Sequence, residues 1–158
     1  MNTQHRGRAA FAVCGSFCTL GAAAAQAEQL VRQGWELLPV MSFAASRLDT
    51  RFGRASEWKE RLEQLTGHPV LDSLQAVEPL GPKRLAEALV IAPCTGTTLA
   101  RLAAGLSDTP VTLAAKACCG GVPGGGGRLH QRRPGRIGGE HRPAAAAQTL
   151  LLRALRAG

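Results

Sequence analysis

Three clusters of small, hydroxyl-bearing residues carry the most readable chemistry in this chain: Gly15-Ser16, Ser42, and Pro93-Cys94-Thr95-Gly96-Thr97-Thr98. Each follows a short apolar run, and the first and third lead into helical patterns. A turn of this composition at the start of a helix presents backbone N–H groups that no helical carbonyl satisfies. They lie at the positive end of the helix dipole, so the turn favours an anion such as a phosphate. Glycine lets backbone approach such a group, and the hydroxyls add donors. The same residues also suit an ordinary tight turn or N-cap, and both readings stand at this level.

Other chemistry-bearing residues read less sharply. Cys94 has the type of a nucleophile, but no His/Asp partner accompanies it, and a small buried side chain is the alternative. Asp49 and Arg51 share a loop near a strand end. They could bind a dicarboxylate, with the guanidinium as a bidentate clamp, or form a surface ion pair. His68 follows a helix and precedes Pro69, which suits a surface or capping role. Cys14 and Cys18 make a C-x3-C, yet no His or second Cys pair completes a zinc set, so no metal site is expected. The odd cysteine count of 5 argues against a secreted disulfide framework.

The elements that must hold these turns follow in order. Ala9–Cys14 suits a buried parallel strand, Leu20–Gln33 an alanine-rich helix stopped by Gly34, and Trp35–Met41 a second strand. Strand, Gly-Ser turn, helix, strand is a βαβ unit, whose ligands lie at the carboxyl ends of the strands. Ala44–Gly53 reads as a loop and Arg54–Thr66 as an amphipathic helix with Trp58, Leu62 and Leu65 on one stripe. Val70–Val77 fits either a helix or an edge strand, and Lys83–Glu87 a short helix. Ala88–Ala92 is a strand that Pro93 stops, and Leu99, Leu102, Ala103 and Leu106 mark the next helix. Thr109–Ala114 starts another apolar run, read as a strand. The predicted class is α/β, a three-layer doubly wound parallel sheet of Rossmann-like or flavodoxin-like kind with about four strands, truncated at its C-terminal end.

Composition divides the chain. The net charge is +8, but residues 1–117 carry 12 Lys and Arg against 10 Asp and Glu, while residues 118–158 carry 7 Arg against Glu140 alone. The patterned part therefore has no basic face, and its aromatic content is low, which argues against nucleic-acid binding. No apolar run reaches membrane-spanning length. Ala9–Ala25 after His5, Arg6 and Arg8 imitates a signal peptide, but Gly15, Ser16 and Thr19 dilute its apolar centre. Three segments follow: a polar lead 1–8, an α/β domain 9–117, and a Gly/Arg/Pro-rich tail 118–158 that reads as disordered apart from a weak helix over Ala144–Ala157.

Five motifs in order carry a family resemblance: Phe11-Ala-Val-Cys-Gly-Ser-Phe-Cys18, Met41-Ser-Phe43, Asp49-Thr-Arg-Phe-Gly53, Gly81-Pro-Lys83 and Ala92-Pro-Cys-Thr-Gly-Thr-Thr-Leu-Ala100. Over residues 9–117 the chain resembles dipicolinate synthase B subunits, within the flavoprotein superfamily that includes the flavin-dependent cysteine decarboxylases. The resemblance implies FMN or another nucleotide held by Gly15, Ser16, Ser42 and Pro93–Thr98, with Asp49 and Arg51 facing a small dicarboxylate substrate. It implies a partner, the A subunit, carrying NAD(P). It also implies a role in oxidising a tetrahydro- or dihydrodipicolinate intermediate to dipicolinate in the mother-cell cytoplasm of a spore former. A homo-oligomer is compatible; nucleic acid and membrane are not expected as partners. The decarboxylases' histidine after the second strand and their Pro-x-Met-Asn motif are absent, so decarboxylation is not implied. Two other classes stay open: a flavin- or nucleotide-binding module without catalysis of its own, and an interaction protein acting through its basic tail.

The tail departs from that family, and its codons suggest why. If Arg128-Leu-His-Gln-Arg-Arg133 is encoded CGT CTC CAC CAA CGA CGC, a one-base shift reads Val-Ser-Thr-Asn-Asp and the start of an Ala codon. Permitted codons continue that second reading to the end of the chain, as a Ser-Thr-Asn-Asp-Ala-Leu turn, a helix and an aromatic strand resembling the family's C-terminal region. The expectation is a frameshift between about Ala117 and Arg128, leaving the basic tail without a selected function. Sequencing genomic DNA across this segment is the check: codons compatible with the second reading are expected throughout, and a single stop or incompatible codon early in it would remove the idea.

Overall fold

The computed structural model describes residues 5–119, 128–131 and 148–153. Its centre is β1, Gly7–Val13, which pairs in parallel with β2, Trp35–Met41, on one edge and with β3, Ala88–Cys94, on the other. A strand flanked on both edges and covered on both faces has no polar face to show, and Ala9-Ala-Phe-Ala-Val13 is apolar throughout. Ala10 and Ala12 point to one face and Ala9, Phe11 and Val13 to the other, as the two-residue period of a strand requires.

Helices cover both faces. On the Phe11 side lie α1 (Leu20–Arg32), α2 (Phe43–Arg47) and α3 (Ala55–Thr66), through Ala23, Ala27, Ala45 and Leu62. On the Ala10 side lie α4 (Leu74–Val77), α5 (Gly96–Ala103) and α6 (Pro110–Cys119), through Val77, Leu102, Val111 and Ala115. The result is the expected three-layer α/β arrangement. The small side chains that dominate the composition let helix backbones approach the sheet closely, with Phe11, Leu37, Met41, Leu89 and Ile91 filling the remaining volume. The signal-like stretch Ala9–Ala25 is thus central strand and packed helix.

The full strand order is β2-β1-β3-β5-β4, with β5 (Gln148–Arg153) antiparallel to β3 and β4 (Arg128–Gln131) antiparallel to β5. Both added strands fall in the stretch expected to be disordered. The weak helix read over Ala144–Ala157 is replaced within it by β5, because consecutive Leu150, Leu151 and Leu152 make no helical stripe while the free edge of β3 offers a ladder. Apart from Cys118 and Cys119, which end α6, the rest of that tail lies outside the described residues.

Four local readings are corrected. Thr109–Ala114 is not a parallel strand but the start of α6. Pro110 occupies its first position, where a missing N–H costs nothing, and Val111, Ala114, Ala115 and Cys118 make a buried stripe at helical spacing. Thr109 and Thr112 cap one another reciprocally: Thr112 N–H donates to Thr109 Oγ1 at 3.2 Å and Thr109 N–H to Thr112 Oγ1 at 3.1 Å. Pro93 does not stop β3, which continues to Cys94. Pro93 follows a cis peptide bond and falls where the pairing with β5 shifts register between Ile91 and Cys94, so no N–H is required of it. The segment Ala44–Gly53, read as all loop, contains most of α2, capped by Ser42. Lys83–Glu87 is a turn rather than a helix, with Arg84 in the left-handed region at φ 48°. The ambiguous Val70–Val77 divides into a single bridge from Leu71 to Val40 and then α4, capped by Ser73.

At the amino-terminal end of the sheet, Glu36 on β2 meets Arg8 Nε at 3.0 Å, His68 Nε2 at 3.0 Å and His5 Nε2 at 3.5 Å. The Arg8 guanidinium beside it holds the Glu36 carboxyl below its ordinary range. His68 therefore ties the end of α3 to β2, remote from the strand ends that carry the hydroxyl-rich turns. The cap of α6 is open to test. Thr109→Ala should lower stability by about 1 kcal/mol in urea unfolding with an unchanged slope, whereas no loss would mean that packing alone starts α6.

Candidate functional site

The turns after β1, β2 and β3 lie at the carboxyl ends of three adjacent parallel strands. Backbone bonds hold them together: Ser42 N–H donates to Val13 O at 3.0 Å, and Cys14 N–H donates to Pro93 O at 3.2 Å. Parallel strands put the carboxyl ends, and the helix starts that follow them, on one edge of the sheet. Gly15, Ser16, Ser42 and Pro93–Thr98 thus share that edge.

Each turn satisfies part of its own hydrogen bonding and leaves part open. Thr95 caps α5. Its Oγ1 accepts from Thr98 N–H at 3.2 Å and donates to Thr98 Oγ1 at 3.0 Å, and Thr98 Oγ1 in turn donates to Cys14 Sγ at 3.4 Å. Both threonine hydroxyl hydrogens are spent on this chain, which crosses from β3 to β1. The N–H groups of Gly96 and Thr97, in the first turn of α5, have no helical acceptor, and both residues are exposed. A Cβ placed at Gly96 would meet nothing within 4 Å, so the space beside that turn is open.

Ser42 accepts from Ala45 N–H at 3.1 Å as the N-cap of α2, and its own hydroxyl hydrogen finds no acceptor among the described residues. Ser16 Oγ accepts from Thr19 Oγ1 at 3.2 Å, and Ser16 N–H donates to Cys14 O at 2.9 Å. Gly15 has a packing reason beside any ligand role: a Cβ there would lie 3.1 Å from that of Ala44, so the first turn and α2 abut. Cap and ligand readings are therefore compatible at Thr95 and Ser42, since a capping oxygen accepts while an anion asks for donors.

Cys94 is buried, and burial first, then the neighbouring Cys14, push its thiol up to about 12. Burial also raises Cys14, against the opposing hydrogen bond from Thr98. Neither is a thiolate near neutral pH, so Cys94 packs at the floor of the turn in the protonated form and has no ready means of nucleophilic attack. Asp49 and Arg51 separate in role. Asp49 Oδ1 accepts from Ala55 N–H at 2.8 Å and so caps the start of α3. Arg51 is exposed, with its guanidinium carbon 4.8 Å from the Phe52 ring centroid.

The sequence reading missed Arg47 and Phe43, stacked at 4.5 Å on the outer side of α2. Their four-residue spacing was the available signal, hidden because the segment was read as a loop. A separate small hollow, lined by residues including Leu102, Leu106 and Lys116, lies at the far end of α5 from Thr95. It shares no residue with the strand-end turns.

Comparison with known proteins agrees with this fold. Residues 2–123 match the flavoprotein family. The chain belongs to that family. This flavoprotein is 44% identical over 110 residues to the dipicolinate synthase B subunit of Bacillus subtilis (strain 168), covering 70% of this chain and 55% of the relative. It is similar to the crystal structure of the dipicolinate synthase B subunit from Bacillus halodurans, with a TM-score of 0.63 and 36% identity over 75% of this chain and 60% of that one. It is also similar to the FMN-dependent cysteine decarboxylase SpaF, with a TM-score of 0.56 and 27% identity over 70% of this chain and 62% of that one. The chain thus spans about half the length of the curated relative it matches. Among the described residues no helix of this flavoprotein is long and apolar enough to cross a membrane.

The thiol environments give a direct check. At neutral pH iodoacetamide should modify exposed Cys18 while Cys14 and Cys94 stay protected until the protein unfolds, as read by peptide mass spectrometry. Alkylation of Cys94 at the rate of Cys18 would show an accessible, ionised thiol instead.

Proposed function

We propose that this flavoprotein is the B subunit of a dipicolinate synthase and binds FMN at the carboxyl edge of β2-β1-β3. The observation that carries the reading is the open first turn of α5 on the same edge as Ser16 and Ser42, in a chain 44% identical to a B subunit. The residues fit a flavin phosphate. The Gly96 and Thr97 N–H groups and the Ser16 and Ser42 hydroxyls are donors available to an anion, and glycine at 96 keeps their approach clear. Pro93, Cys94, Thr95 and Thr98 shape that wall without needing to donate. A bound flavin would supply reversible two-electron transfer.

The chain's own part is to orient the cofactor and to hold a small dicarboxylate beside it, with Arg51 as a cation on the rim. The substrate would be a tetrahydro- or dihydrodipicolinate intermediate and the product dipicolinate, made in the mother cell of a spore former. The A subunit would bring NAD(P) and complete the reaction. In this reading the groups that meet the ligand lie within 9–117, and residues 148–153 adjoin them through the pairing of Gln148 with Cys94.

A second reading, a flavin-binding module with no catalysis of its own, is favoured by the protonated state of Cys94 and by the absence of an ionised catalytic pair among the strand-end residues. One set of measurements separates the two. Purified protein should take up FMN, seen as its visible absorbance band. Gly96→Ala should weaken that uptake about tenfold or more while leaving thermal stability unchanged or slightly raised, because alanine is the better helix residue. Adding the reduced substrate together with the A subunit should then yield dipicolinate, read by mass spectrometry. FMN uptake without product would favour the module, and no uptake would remove both readings.

A further inference from the structure

Two free thiols meet beneath the turn that opens α5. Cys14 follows β1, and Cys94 ends β3, its parallel neighbour. Cys14 N–H donates to Pro93 O at 3.2 Å, so its backbone lies against the residue next to Cys94. A strand spacing of about 4.8 Å and a rise of about 3.3 Å per residue then put the two Cα atoms at most about 6 Å apart, inside the span that a disulfide bridges. Both side chains enter the same core cluster, which also holds Leu102 of α5, and are 1% and 5% exposed.

The sulfurs share a partner. Cys94 Sγ donates to Thr95 O at 3.6 Å, while Cys14 Sγ accepts from the backbone N–H of the same Thr95 and from Thr98 Oγ1 at 3.4 Å. After burial, charge on Cys14 is the second cause that raises the Cys94 thiol, so the two sulfurs lie within electrostatic reach of each other. They are unequal. Cys94 gives its proton to a carbonyl. Cys14 receives two donors, which oppose the burial that raises it and favour its thiolate over that of Cys94. An attacking sulfur beside a protonated partner is the arrangement of a dithiol that closes under oxidation.

We propose that Cys14 and Cys94 form an oxidisable pair, closed to a disulfide by a small peroxide, and that closing it loosens the first turn of α5. Peroxide is small enough to enter a buried floor through local opening, and it reacts with the minor thiolate fraction of Cys14. That thiolate attacks one oxygen of hydrogen peroxide. An S–O bond forms, the O–O bond breaks, and the departing hydroxide takes up the proton that Cys14 released and leaves as water. The Cys94 sulfur then displaces the hydroxyl of the Cys14 sulfenic acid. The S–S bond forms, the S–O bond breaks, and the Cys94 proton leaves with the hydroxyl as a second water. Two thiols thus lose two electrons, and one peroxide is reduced to two waters. The bridge removes the proton that Cys94 gives to Thr95 O, and it makes the Cys14 sulfur a poorer acceptor for Thr98 Oγ1. Thr98 N–H and Thr95 Oγ1, 3.2 Å apart in the cap of α5, lose that support from below. The pair does not depend on which ligand the strand edge binds.

The test treats the full chain with hydrogen peroxide, then unfolds it and blocks the remaining thiols with iodoacetamide. Peptide mass spectrometry should show Cys14 and Cys94 leaving the alkylated pool together, as a cross-link between their peptides that a thiol reductant reverses. The Thr98 amide should exchange its hydrogen about fivefold or more faster in the oxidised protein than in the reduced one, with exchange in α3 unchanged. Cys94→Ala should abolish the link and carry Cys14 on to sulfinic acid, and Cys94→Ser serves in its place if the alanine variant misfolds. Cys18→Ser should leave the link intact. Cys14 and Cys94 both still open to alkylation once Cys18 is oxidised, or linked to other cysteines instead, would overturn the pair. A Cys14–Cys94 link that leaves Thr98 exchange unaltered would overturn its hold on α5.

Discussion

The parallel pairing of β1 with both its neighbours is the constraint on which the rest depends. It is a strand without a solvent face, and its alternate residues enter two separate cores. Because β2 and β3 run in register with it, the three chain reversals that follow them must emerge side by side. The spacing of Ser16, Ser42 and Thr95 is therefore a property of the ladder, not of the loops themselves. Alanine makes the arrangement possible: helices that present Ala23, Ala27, Ala114 and Ala115 to the sheet come close enough to cover it from both sides.

The hydroxyl groups at the site serve structure and recognition in different senses. Thr95 and Ser42 use their oxygens as acceptors for helix N–H groups, which fixes where α5 and α2 begin. What remains at the edge is a set of donors. The Thr95–Thr98–Cys14 chain also links β3 to β1 beneath the turn, with Cys14 as a weak acceptor in a desolvated floor, while the neighbouring Cys94 Sγ donates to Thr95 O at 3.6 Å. A turn built this way is rigid before anything binds, which lowers the ordering cost of binding.

Where pattern reading failed, a second signal was present but competed with a stronger-looking one. Thr109–Ala114 contains β-branched and apolar residues in a run, which suggests a strand. The Thr-Pro start and the stripe of Val111, Ala114, Ala115 and Cys118 are helical, and packing against Leu102 and Val77 decides in their favour. Pro93 would end an ordinary strand, yet β3 passes through it because that position needs no ladder donor. Phe43–Arg47 shows no period beyond the single four-residue spacing of its ends, and its cap by Ser42 marks where it begins. At α6 and α2 a local preference of about a few tenths of a kcal/mol is outweighed by burial or by a capping bond.

The sequence by itself determined the α/β class, the three central strands, α1 and α3, and the hydroxyl-rich turns, because a fully buried strand and a packed helix impose periods that survive in the residue types. It also located the change of character after Ala117. Only the tertiary structure decided that Asp49 caps a helix while Arg47 and Arg51 stay unpaired among the described residues, that Cys94 is desolvated beside Cys14, and that His68 serves Glu36 at the opposite end of the sheet. Those are facts about which groups meet across distant segments. They follow from the stacking of layers and the register of strands, which no local spacing encodes.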